Sequence, residues 1–226
     1  MEFNRLLSQA ISFYGETNTK NFSQELKSKK SLKINTKSYK NILKEKDLNK
    51  LIDDLNKQSL ISIDTETTSL NPQEAQLIGV SISYATNISF YIPVGHKNVK
   101  SLSKELLINK LKPILEDPSI KKVGQNIKYD YIIFKRHGVN LKSIEDTMLL
   151  SYTLDAGNNR HNMDTLSELH LGHKTISYKD LVGTGKKQLN FSEVDLDKAT
   201  EYAAEDADVT LRLYEILSER VENEKL

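Results

Sequence analysis

Between residues 60 and 94 the chain holds three short apolar runs, 60–63, 77–85 and 88–94, the last two parted only by Thr86 and Asn87. Runs of this length and composition read as strands. Three strands so close in sequence leave no room for a crossover helix and are expected to form an antiparallel meander. Helical spacing precedes them at Leu48, Leu51, Ile52 and Leu55, and follows them at Leu106, Leu107, Leu111, Ile114 and Leu115. A fourth strand is expected over 121–124. Helices then follow at about 126–137, 143–154, 163–170 and 196–222. Strands first, one crossover to a further strand, then helices, describe an α/β fold with a mixed central sheet flanked by helices.

Ahead of this region the pattern weakens. Phe3, Leu6, Leu7, Ile11 and Phe13 suit one short amphipathic helix over 2–14, closed by Gly15, and residues 15–36 show no sustained period. That stretch reads as a mobile linker, with order beginning near Tyr39. The division is therefore 1–37, an N-terminal helix and basic flexible linker, and 38–226, the main domain. Residues 20–50 carry ten lysines against three acids, a net of +7 in a chain whose total is +1. With 1–19 at −1, residues 51–226 sum to −5. The lysine-rich stretch suits phosphate backbones, though a solvated linker explains it more simply.

Composition excludes several classes. Hydrophobic residues make up 38% and charged residues 28%, and no stretch approaches the roughly 18 consecutive apolar residues that a membrane helix requires. The first residues lack a basic-then-apolar signal arrangement. Cysteine is absent, which removes disulfides and thiolate metal sites. A cytoplasmic protein with no membrane association is the expectation.

Chemistry concentrates in three carboxylate patches. Asp64 and Glu66 stand two apart where the first strand meets a polar cluster, so both can point to one face, and hard divalent cations favour such oxygen ligands. A lone D-x-E is more simply a solvated strand end. In Gly124-Gln125-Asn126-Ile127-Lys128-Tyr129-Asp130, Asn126 and Asp130 lie four apart at the start of a helix that follows a strand. There the free N–H groups and the amides of Gln125 and Asn126 suit a phosphate, or Asn126 simply caps the helix with Asp130 exposed. The last helix carries an apolar stripe through Ala199, Tyr202, Val209, Leu213 and Leu217. Asp206 falls on it, whereas Glu201 and Glu205 can face outward. A carboxylate on a buried stripe needs a metal or a cation, and the chain has only five arginines, Arg5, Arg136, Arg160, Arg212 and Arg220.

Taken together, D-x-E on a strand, N-x-x-x-D on a helix and Y-x-x-x-D on a terminal helix resemble the three motifs of the DEDD exonuclease superfamily in its tyrosine branch. The wording of 63–67, 124–130 and 202–210 (YAAEDADVT), with Arg160-His161-Asn162-Met163-Asp164 and the segment 185–189, resembles the proofreading 3′-5′ exonuclease domain of bacterial DNA polymerase I. The resemblance covers about residues 38–222 and keeps all four acids. It implies a ribonuclease H-like fold and removal of nucleotides from 3′ ends of single-stranded or frayed DNA, with release of 5′-mononucleotides. It also implies two divalent metal ions, Mg²⁺ with Mn²⁺ or Zn²⁺ as substitutes. Asp64, Glu66 and Asp206 would hold one ion, Asp64 would bridge to the second, and Asp130 would support that second ion. Tyr202 would orient the attacking water, with Glu66 accepting a hydrogen bond from it. Thr65, Leu70, Gln125, Asn126, Arg160 and Tyr178 would contact the nucleic acid: Leu70 as a wedge, Tyr178 as a stacking ring where relatives commonly carry Phe, and Gln125, Asn126 and Arg160 on phosphates. Two of these have a plain alternative, core packing for Leu70 and packing beneath a helix for Tyr178.

Two other readings compete. A ribonuclease D-like exoribonuclease uses the same acids and tyrosine, and a non-catalytic nucleic-acid-binding module would need only the fold. The expected partners are single-stranded DNA 3′ ends and a DNA polymerase in cis or in trans, with the chain itself a monomer. Gly183-Thr184-Gly185-Lys186 lacks phosphate-loop spacing and reads as a turn. His170 and His173 read as surface or capping residues. His96, His137 and His161 form no metal pattern.

Overall fold

The computed structural model describes residues 33–185 and 188–226. The expected helix over 2–14 and most of the expected linker lie outside the described residues, as do Lys186 and Lys187. A single 3-10 turn, Thr36–Ser38, leads into a six-stranded mixed sheet. Its strands are β1 (Lys40–Asn41), β2 (Leu60–Thr67), β3 (Leu77–Ala85), β4 (Ile88–Pro93), β5 (Lys121–Gly124) and β6 (Ile144–Asp146), in the order β1-β4-β3-β2-β5-β6. The meander β2-β3-β4 is antiparallel, as its short connections require, while β5, β6 and β1 join in parallel. Among the described residues the α-helices are α1 (Glu45–Leu55), α2 (Lys104–Leu115), α3 (Lys128–Arg136), α4 (Thr147–Asp155), α5 (Met163–Leu166), α6 (Tyr178–Val182) and α7 (Leu196–Glu224).

Strand alternation gives the sheet two unlike faces. On one, Ile61 and Ile63 of β2, Val80 and Ile82 of β3 and Ile92 of β4 join Leu48, Leu51 and Leu55 of α1 and Leu107 and Leu111 of α2 in the main core. On the other, the register aligns Ser62 with Ser83, Asp64 with Ser81 and Glu66 with Gly79. This second face is lined by small or polar side chains, and α7 crosses it with Ala199, Ala203, Ala204 and Ala207, all fully buried. Small residues on both surfaces let the helix approach closely, close enough for Ser62 Oγ to donate to the Ala207 carbonyl at 2.5 Å. Gly79 belongs to the same fit, because a Cβ there would collide with the Tyr91 ring.

Four elements differ from the sequence expectation. Strand β2 runs on to Thr67, so Asp64 and Glu66 lie inside the sheet. The expected helix over 143–154 is a strand followed by a helix. Residues 122–124 offer an open edge that Ile144, Glu145 and Asp146 pair with in parallel, and Asp146 then caps α4 by accepting from the Met148 N–H. The two-residue strand β1 carries no period that a sequence reading can detect; it is fixed by pairing with Phe90 and Tyr91. The helix expected over 163–170 is one turn, α5, continued by a π turn at Ser167–Leu171 and closed by left-handed Gly172.

Candidate active site

The second face of the sheet is where the acids meet. Asp64 and Glu66 project from β2 toward α7, which returns Asp206, and one oxygen from each of the three lies within 4.8 Å of the others. No Lys, Arg or His ion pair to any of the three occurs among the described residues. Oε1 of Glu66 is buried without a hydrogen-bond partner. Burial and mutual repulsion make the charged forms costly. Asp64 is pushed up to about 6, chiefly by burial. Glu66 is driven well above the usual carboxylate range by burial and by the charges of Asp64, Asp206 and Asp130, and Asp206 likewise by burial and Asp64, which the Tyr202 hydroxyl only partly offsets.

Asp130 reaches the cluster from α3. It is buried, accepts from Thr65 Oγ1 at 2.5 Å, and is raised by burial and by Asp64. The alternative of an exposed Asp130 beneath an Asn126 cap does not hold. The helix begins after Ile127 with no side-chain cap, and Asn126 takes a left-handed φ of 59°. Asp146 instead accepts the Asn126 and Ile127 N–H groups, and the Asn126 side chain stays exposed.

Three buried acids and the half-buried Asp64, with an unpartnered oxygen and no counter-cation among the described residues, are unstable by themselves. They fit hard divalent cations, which bind carboxylate oxygens and invert the local field. Above them Tyr202 is pushed far up by burial and by Asp206, Glu66 and Asp64, so its phenol stays protonated.

The remaining expected site residues divide into two groups. Leu70 is 95% exposed on the loop after β2, which removes the core-packing alternative. That loop is tied down where Tyr129 Oη donates to the Ser69 carbonyl and Arg136 donates to the carbonyls of Pro72 and Ala75. Tyr178, half open at the start of α6, lies parallel to Phe191 and edge-on to Tyr202, with ring centroids 6.5 and 5.9 Å away. Arg160 is exposed. By contrast the Thr65 hydroxyl is committed to Asp130, and Gln125 donates to the His161 carbonyl while accepting from Thr147.

Two neighbours escaped the sequence reading. Tyr91 and His96, hydrogen-bonded at 2.9 Å, pack edge-on with Phe191, and burial together with the charges of Glu66 and Asp64 pushes the Tyr91 hydroxyl up. Glu205, expected to face outward, is buried: its Oε2 accepts the Ile176 N–H at 2.6 Å and its Oε1 meets His173 Nε2 at 2.8 Å. His173 is therefore no surface or capping residue. It helps clamp the segment leading to Tyr178. The signal was the run Glu205-Asp206-Ala207-Asp208 itself, too acidic for a helix buried on every side from Ala203 to Tyr214.

A family model described as 3′-5′ exonuclease matches residues 39–222, a span that contains all four acids and Tyr202. The chain belongs to the 3′-5′ exonuclease family. Among its relatives, DNA polymerase I of Rhizobium leguminosarum is 44% identical over 194 residues, which covers 77% of this chain and 19% of the relative. The chain thus spans about a fifth of the length of the curated relatives it matches. Solved structures share the ribonuclease H-like fold. Brucella melitensis NrnC superposes with a TM-score of 0.63 at 22% identity, covering 83% of this chain and 82% of that one. Escherichia coli RNase D, described as an exoribonuclease involved in structured RNA processing, gives 0.63 at 20% identity over 82% and 45%. No described helix is long and apolar enough to cross a membrane.

Proposed function

We propose that this 3′-5′ exonuclease domain removes nucleotides from the 3′ ends of single-stranded or frayed DNA in the manner of a proofreading activity, releasing 5′-mononucleotides. The convergence of Asp64, Glu66 and Asp206 within 4.8 Å carries the reading. These three would hold one divalent ion, with Asp64 shared and Asp130 supporting a second; Mg²⁺ is the first choice, with Mn²⁺ or Zn²⁺ as substitutes. When bound, such a pair supplies an activated water and neutralises charge on the attacking and leaving oxygens.

The chain's own residues do the rest. Tyr202 keeps its proton and orients the nucleophilic water as a hydrogen-bonding partner; its raised pKa argues against a role as base. Glu66, with one oxygen unpartnered, accepts a hydrogen bond from that water. Thr65 fixes the Asp130 carboxylate. Leu70 wedges against the terminal bases and Tyr178 stacks beside them. Asn126 and Arg160 hold phosphates, joined by the second amide hydrogen of Gln125. The partners are single-stranded DNA 3′ ends and a DNA polymerase in cis or in trans, and the protein works in the cytoplasm as a monomer. Residues 38–226 act as the catalytic unit.

The test is degradation of end-labelled single-stranded DNA and matched RNA with Mg²⁺ or Mn²⁺, then with EDTA, beside Asp64→Ala. Stepwise metal-dependent loss from the 3′ end of DNA, absent in the variant, is expected. Preference for RNA would move the chain to the ribonuclease branch, and inactivity on both would leave a binding module.

A further inference from the structure

We propose that Tyr152 and His161 form a base-stacking platform for a nucleotide several positions 5′ of the one cleaved, an extension of the strand-binding site that rests on the exonuclease reading. Helix α4 turns Leu149 and Tyr152 outward one turn apart, 58% and 50% exposed. The Tyr152 ring is no loose surface group. It lies over the His161 ring with centroids 3.8 Å apart and planes 33° from parallel. His161 is itself buried and held twice: Nδ1 meets Ser151 Oγ at 2.7 Å, and its carbonyl accepts Gln125 Nε2 at 2.7 Å. A rigid imidazole therefore backs the phenol ring and leaves the rest of it to solvent.

Two features point to nucleic acid as the occupant. The exposed cation Arg160 directly precedes His161 in the chain, so a positive residue adjoins the one that backs the ring. Single strands are held by that combination, aromatic faces for the bases and cations for the backbone. Gln125, which holds the His161 carbonyl, also begins the segment that leads through Asn126 into the helix carrying Asp130. The platform is thus hydrogen-bonded to the segment that leads into the acid-bearing helix, and a strand with its 3′ end at the acids runs 5′ as it leaves them. A protein partner fits less well, because two apolar side chains fall far short of the roughly 800 Å² per partner of a stable interface.

Steady-state cleavage of oligothymidylates two, four and six nucleotides long, with Mg²⁺, tests this. In the wild type KM should fall with length. Tyr152→Ala should raise KM for the hexamer about tenfold, leaving kcat and the dinucleotide KM unchanged. Tyr152→Phe should match the wild type, and Tyr152→Leu, which keeps apolar bulk without a π face, should match Tyr152→Ala. The proposal is overturned by a wild-type KM that ignores length, by an unchanged length dependence in both Tyr152→Ala and Tyr152→Leu, or by an equal loss on dinucleotide and hexamer. Failure of the exonuclease reading is separately visible, since the wild type would then not cleave even the dinucleotide.

Discussion

Asp206 and Asp208 sit two residues apart on one buried helix and are treated in opposite ways. Asp208, fully buried, accepts from Tyr39 Oη at 2.8 Å, from Arg212 at 2.9 Å and from the Asn87 N–H at 3.1 Å. Asp206, also buried, is turned toward two more acids and has only the Tyr202 hydroxyl to offset them. The first arrangement is a closed structural knot that ties α7 to the start of the domain. The second is a concentration of like charge that the fold tolerates but does not neutralise. A buried acid supplied with cations and donors holds structure, while one left among its own kind is prepared for an ion from outside.

Substitutions at the two positions should therefore separate. Asp64→Ala or Asp206→Ala should cut kcat by at least about a thousandfold, the several kcal/mol that metal-assisted chemistry supplies, without lowering the metal-free melting temperature. If the activity loss were matched by unfolding, the distinction would fail. Asp208→Asn should cost about 3 kcal/mol in urea unfolding, because it strips the charge that answers a buried Arg212. Activity per folded molecule should survive.

The acid cluster should also leave a signature in pH. Its members have folded-state pKa values above the ordinary range, with Asp64 at about 6. The neutral forms are favoured on folding, so their stabilising effect is complete below the normal carboxylate range and is lost as pH rises through the raised values. In EDTA the melting temperature should fall as pH climbs from about 4 past 6. Magnesium at a hundred times its Kd should restore about 2.7 kcal/mol, more visibly at pH 8 than at pH 5. A flat profile in EDTA would mean the acids already have partners.

The smallest effect belongs to Glu205, the first acid of the run. Glu205→Ala leaves the Ile176 N–H without its acceptor and should cost about 1–3 kcal/mol, with a higher KM as the segment before Tyr178 loosens. Glu205→Gln keeps an acceptor and should recover most of both. Equal KM values in the alanine and glutamine variants would remove Glu205 from any positioning role.

Much of this was legible in advance. The grouping of the four acids with Tyr202 rested on the resemblance of three motifs to an exonuclease family, whereas the meander, the crossover to β5 and the long terminal helix follow from period-2 and period-3.6 patterns, which act over a few residues. The assignment of Asp206 to a buried stripe held for the same reason. The outward placement of Glu205 failed because a stripe describes a helix with one solvent face, and α7 between Ala203 and Tyr214 has none. Strand β6 was hidden in a helical pattern because only the open edge of β5 calls for it. Lys122 reads as an ordinary strand lysine, yet it is fully buried with Nζ donating to the carbonyls of Asp117 and Ile120.

What the sequence alone determined is the local inventory: which segments pair or coil, and which residues can bind a hard cation. What only the tertiary structure decided is which acids are answered and which are left to one another. That depends on how closely α7 approaches the serine- and glycine-lined face of the sheet, and contacts between residues 60 and more than 140 positions apart are set by packing, which no local pattern encodes.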